Sequence, residues 1–173
     1  MPDSTSEDQG LDEWLRAVAS RESNTVERLI EHLFLAELLQ ECWFRRRQLV
    51  EVLRAEVDSA GYDLVLESAD VIRHVQLKAS RKGSRTAKQT INVRLQDRLG
   101  GCIIWVFYDV DPESGRAELT YRFREAERLP ERRGRHTRGG GTRENTRVLR
   151  KGEFGTVGDI AGLVELLFGP VPT

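Results

Sequence analysis

The nine residues CIIWVFYDV, Cys102 to Val110, constrain the fold more than any other stretch of the chain. Strand side chains alternate between faces, so a run that is apolar at nearly every position has no side to turn to water. It reads as a strand covered on both faces, and the rest of the chain must supply two covering layers. With 173 residues, 39% of them hydrophobic, the chain can bury one such core and make one domain.

Periodicity places the other elements around that strand. Residues 1–10 are polar, and then Leu11, Trp14, Leu15 and Val18 fall at i, i+3, i+4 and i+7 of a short amphipathic helix. Its stripe docks on its own domain or on a partner, so residues 1–22 are set apart from a domain over 23–173. Asn24 followed by Glu27 predicts an N-cap with its reciprocal acid, opening a helix through VERLIEHLFLAELLQECW. Apolar residues ring that helix, which predicts burial on nearly every side. LVEVLRAEV reads as a short strand, and YDLVLE and VIRHVQLKA as a hairpin across the ESAD turn. SRKGSRTAKQ is a basic loop, INVRLQDRL predicts a helix stopped by Gly100 and Gly101, and AELTYRFRE is an alternating strand after the DPESG turn. A Gly- and Arg-rich loop runs from Pro130 to Thr146, and Thr156 with Asp159 caps a last helix ended by Gly169 and Pro170. The order predicts an α/β fold, a mixed central sheet flanked by helices on both sides.

The charge balance is even, 27 Lys and Arg against 28 Asp and Glu. The average hides an asymmetry, because residues 131–151 hold seven Arg and one Lys against two Glu, a net +6. Cys42 and Cys102 have no metal-ligand or redox spacing, and no apolar h-region follows the acidic N-terminus. These features predict a cytoplasmic protein with free, buried thiols and no membrane segment.

The strand VIRHVQLKA carries the chemistry. Val71, Arg73, Val75, Leu77 and Ala79 share one face, and Ile72, His74, Gln76 and Lys78 the other. If paired residue numbers across the hairpin add to an odd value, Asp63 joins the Gln76 and Lys78 face, and a loop of Ser68 to Val71 sets it opposite Gln76. An even sum separates Asp63 from both. In the odd register the Asp63 carboxylate, the Gln76 amide oxygen and the Leu77 carbonyl suit a hard cation such as Mg²⁺, which keeps several waters and completes its shell with phosphate. Lys78 beside them would hold or deprotonate a metal-bound water and offset charge on the phosphate. Each residue also has a plain structural reading. Lys78 snorkels, Gln76 satisfies a backbone group, Asp63, Glu56 and Asp58 serve the turn near Gly61, His74 packs, and the arginine run with His136 is a solvated loop.

GYD, about a dozen residues and then VQLK resemble the D-Xn-(E/Q)-X-K signature of the PD-(D/E)XK nuclease superfamily. The likeness is to its uncharacterised bacterial, defence-associated branch, and it runs through EHLF, VLRAEVDSAGYDLVLE, RHVQLK, GCIIWVFYDV, RHTRG and the terminal LFG, roughly residues 26 to 169. The resemblance implies a restriction-endonuclease-like αβββαβ core and Mg²⁺- or Mn²⁺-dependent cleavage of DNA. It makes Asp63 the metal ligand, puts Gln76 where Glu usually stands, makes Lys78 the catalytic lysine and makes Glu31 the helix acid that reaches the site through water, with Glu37 as its alternative. Gln at the second position occurs in the type IV restriction branch and removes one negative charge from the metal site. Arg45, Arg46, Arg81, Lys82, Arg85 and the loop from Arg132 to Lys151, with Arg135, His136, Arg138 and Arg143, are the expected phosphate contacts. Cutting both strands of a duplex predicts a homodimer. The other reading is a catalytically silent nucleic-acid-binding or assembly module working with partner proteins of a defence system.

Overall fold

The computed structural model describes residues 10–56, 61–127, 129 and 145–170, apart from 12, 16, 19 and 20. Helix α1 (Ser23–Gln40) ends in a π turn (Glu41–Arg45). Strands β1 (Glu51–Arg54), β2 (Leu64–Ser68), β3 (Val71–Arg81) and β4 (Lys88–Asn92) follow, then a 3-10 turn (Val93–Asp97), β5 (Gly101–Val110) and β6 (Ala117–Glu125). Strand β7 (Thr146–Arg150), a 3-10 turn (Lys151–Glu153), β8 (Gly155–Val157) and helix α2 (Ile160–Phe168) complete the fold. The described residues between 10 and 21 are helical, as their apolar spacing predicts. No helix among the described residues is long and apolar enough to cross a membrane.

The main sheet is mixed and six-stranded, ordered β1-β2-β3-β5-β6-β8. Its one parallel pair is β3 with β5, and the others are antiparallel. Strand β5 is the doubly covered strand that its sequence demands. Cys102, Ile104, Val106 and Tyr108 pack toward α1 and α2 with Ile30, Phe34, Leu38, Leu163 and Leu167. Ile103, Trp105 and Phe107 pack the other way, against Ile91, Leu95, Leu149 and Phe154. Both cysteines are free and buried, and burial pushes the Cys42 thiol up to about 11 and the Cys102 thiol to about 12.

The second covering layer differs from the expected one. It is a two-stranded ribbon, β4 with β7, and the segment INVRLQDRL is the end of a strand followed by a single 3-10 turn. Thr90, Ile91 and Val93 are β-branched, and the Asn92 side chain accepts from the Arg94 amide, so the local chemistry favours strand and turn over α-helix. The chain crosses between the parallel strands β3 and β5 through this ribbon and turn. Helices therefore cover one face of the sheet and the ribbon covers the other.

Two helix starts and the burial of α1 also differ from expectation. Helix α1 starts at Ser23 with Glu22 as its cap, because the chain enters from another helical stretch, the Glu22 amide donating to the Val18 carbonyl. It buries one face only, through Ile30, Phe34, Leu35 and Leu38, and Leu29 is 57% exposed. Asp159 alone caps α2, its Oδ1 accepting from the Gly162 amide, while Thr156 lies in β8. Two arginines tie down carbonyls of α2 and of its C-cap. Arg73 donates to the Leu166 and Leu167 carbonyls and pairs with Glu125, and Arg46 donates to the Ala161 and Gly169 carbonyls.

Candidate active site

Of the two registers open to the hairpin it takes the odd one, from Leu64 opposite Val75 to Ser68 opposite Val71. Strand β3 outruns β2, so the edge of β3 beyond Val75 has no strand beside it among the described residues. Asp63 stands where the two strands part. Its amide donates to the Val75 carbonyl, the group the ladder sets opposite Leu64, and its Oδ2 accepts from the Leu77 amide at 2.7 Å. The pairing thus slips by one residue at Asp63, as in a bulge, and a slip of one residue re-aims a side chain. The Asp63 carboxylate takes the amide that a longer β2 would have paired.

A cleft of about 610 Å³ opens along this bare edge, roofed by the first half of α1. Asn24, Thr25, Glu27, Arg28 and Glu31 line it from the helix, and Asp63, Leu77, Lys78, Ala79 and Gln89 from the sheet side. Asp63, Lys78 and Glu31 are therefore brought together. Glu31 is ion-paired to Arg54 Nε at 2.9 Å, which puts a cation from the end of β1 at the acid's side. The Leu77 side chain packs into the helical core while its backbone faces the cleft.

Gln76 does not join them. It is 3% exposed, on the ribbon side, and its Oε1 accepts from the Asn92 amide at 3.1 Å. Gln76 is thus not a lining residue of the cleft that Asp63 borders; the Asp63 carboxylate meets the Leu77 amide, and the Gln76 amide oxygen meets the ribbon. Glu37, the alternative helix acid, accepts the Tyr121 hydroxyl proton away from the cleft, and burial first, then that carboxylate, push the Tyr121 hydroxyl far up. His74 is a packing residue, Nδ1 bonded to the Leu99 carbonyl and its ring 4.8 Å from that of Tyr62.

The chain matches no protein-family model and no curated protein.

The proposed phosphate contacts divide. Arg46 is a buried clamp, its side chain 5% exposed and bonded to Glu41 and to two α2 carbonyls, so it is not a surface cation. Arg45 is exposed beside Glu41, Lys82 is ion-paired with Asp109, Arg85 is exposed, and Arg81 is half-buried at the end of β3. Arg135, His136, Arg138 and Arg143 lie outside the described residues, as does Asp58.

Sequence reading gave Asn24 and Glu27 only a helix-capping role and passed over Arg28 and Arg54. The first three had a signal, since with Glu31 they recur at i, i+3, i+4 and i+7 and form one polar stripe of α1. Arg54 had none.

The donor set bears on a metal. Among the described residues no three His, Cys, Asp or Glu side chains gather closely enough to hold one. Mg²⁺ asks less than that, one or two carboxylates with the rest of its shell water and phosphate. Asp63, Glu31 and the Leu77 carbonyl fit that lesser demand, and Gln76 does not contribute to it.

Proposed function

We propose that the chain is a metal-dependent endonuclease of the restriction-endonuclease-like kind, hydrolysing DNA phosphodiester bonds as a homodimer in the cytoplasm, in bacterial restriction or phage defence. The observation that carries the reading is the shared cleft of Asp63, Lys78 and Glu31 at the edge of β3 bared where β2 stops. Asp63, Glu31 and the Leu77 carbonyl would hold Mg²⁺ or Mn²⁺, which when bound supplies Lewis acidity and a more acidic water. Lys78 sets a cation against the charge that develops on the phosphate and orients the attacking water. Arg28 adds a second cation to the wall of the cleft.

One observation favours the second reading, a catalytically silent nucleic-acid-binding or assembly module of a defence system. Gln76 and Glu31 both have structural partners, Asn92 and Arg54. Incubating the purified protein with plasmid and linear DNA, with and without Mg²⁺ or Mn²⁺, separates the two. Metal-dependent cutting that Asp63→Asn removes is the expected result. Binding without cutting, in any metal, gives the chain to the silent module.

Gln76 has its own expected outcome. Gln76→Met leaves the Asn92 amide unpaired in a buried place and lowers stability by about 1–3 kcal/mol in urea melts. Gln76→Glu retains the acceptor, and its metal affinity by calorimetry matches wild type. Tighter metal binding in Gln76→Glu would return this side chain to the metal site.

A further inference from the structure

The β4–β7 ribbon holds three cations, Lys88, Arg147 and Arg150, and no acid in its ten residues. Its inner face is ordinary core, Ile91 and Leu149 being fully buried against Trp105 and Phe107. Its outer face, Lys88, Thr90, Val148 and Arg150, is exposed. Lys88 stands directly opposite Arg150 in the ladder. Two like charges in that position repel across a few ångströms and weaken the pairing. Neither side chain has an ion-pair partner among the described residues. A ribbon that served only to cover β5 gains nothing from this pair.

The ribbon is also the rim of the cleft. Gln89 lines the cleft and donates to Ser80 of β3, and the Asn92 amide is fixed to Gln76. Gln89 belongs to the inner face with Ile91, so the outer face turns away from the sheet on the same ribbon that borders the cleft. Exposed Arg85, in the turn that leads into β4, adds a further cation near this end, where the acid beside it is Glu153, whose carboxylate accepts from the Arg150 amide at 2.7 Å. From these observations we infer that the outer face of the ribbon docks duplex DNA, with Lys88 and Arg150 set on its phosphates. A two-stranded ribbon has the width that a DNA major groove admits. The cross-strand repulsion is relieved when phosphate lies between the two cations, so binding and the sequence of the ribbon are explained together.

This inference rests on the nuclease reading of the cleft, but its test does not need cutting. In a Lys78→Ala background, labelled duplex is titrated across a salt series with and without Lys88→Thr and Arg150→Thr. Loss of two phosphate contacts flattens the slope of log affinity against log salt by about 2 units. The same double variant should melt higher, by about 1–3 °C, because the like-charge pair is gone. Lower affinity combined with higher stability is an outcome that general damage to the fold does not produce. An unchanged slope, or a lowered Tm, overturns the inference, as does binding of an acidic polypeptide in place of duplex. If wild type cuts DNA while the slope is unchanged, only the ribbon inference falls. If wild type never cuts and the slope still flattens, the ribbon stands and the cleft reading falls.

Discussion

Lys78→Ala is expected to lower DNA cleavage by roughly 10²–10³-fold, the range in which one positioned charge-stabilising donor acts, while duplex affinity stays within about twofold of wild type. The side chain is half-buried in the wall of the cleft that holds Asp63 and Glu31. In the proposed reaction its charge would act from a half-buried place, where it matters more than on an open surface. Affinity is set by many phosphate contacts, and one lysine is a small share of such a footprint. Single-turnover cleavage at saturating DNA reads the first quantity and anisotropy the second. If Lys78→Ala keeps wild-type cleavage, the cleft is not the site of hydrolysis. If cleavage and affinity fall in parallel, Lys78 is a binding residue only. Lys78→Arg sharpens the comparison, because it keeps the charge but not the compact ammonium, and it is expected to bind duplex as wild type does without recovering the full rate.

The parts of this site that were legible in sequence are those fixed by alternation. An apolar run as dense as Cys102–Tyr108 admits only a doubly covered strand, but the ESAD turn left the hairpin register open between odd and even, and the pairing of Ser68 with Val71 selects the odd one. The local slip at Asp63 was not legible, because it depends on where β2 ends and on a side chain replacing a ladder partner. The ribbon was hidden for another reason. Ile91 and Leu95 lie four apart, as on a helix face, but one belongs to a strand and the other to a 3-10 turn. Its partner β7 lies in an arginine-rich run, where only Leu149 turns inward and no alternation can be read. With the second layer misread as a helix, the acceptor role of Gln76 toward Asn92 was out of reach.

The same limit applies to Arg45, Arg46 and Arg47, three identical residues with three different surroundings. The π turn ends here and Arg47 takes a positive φ of 54°, so successive side chains leave the helix in directions that helical periodicity does not give. Arg46 points inward. Its guanidinium meets Glu41, 7% exposed at the side chain, and donates to the Ala161 carbonyl at 2.7 Å and the Gly169 carbonyl at 3.1 Å. Arg46→Ala therefore strands a buried carboxylate, unties α2 from the end of α1 and leaves a cavity. The expected loss is about 3–5 kcal/mol, the usual cost of removing one member of a buried pair, or roughly 10 °C in Tm for a chain of this size. Arg45→Ala, with its side chain 76% exposed, should melt with wild type. Urea melts of the two variants side by side, with duplex affinity measured below the lower midpoint, distinguish clamp from phosphate contact. The clamp assignment requires an early melt and, while Arg46→Ala is folded, an unchanged salt slope. A wild-type melt with a slope flattened by about 1 unit would return Arg46 to the DNA surface.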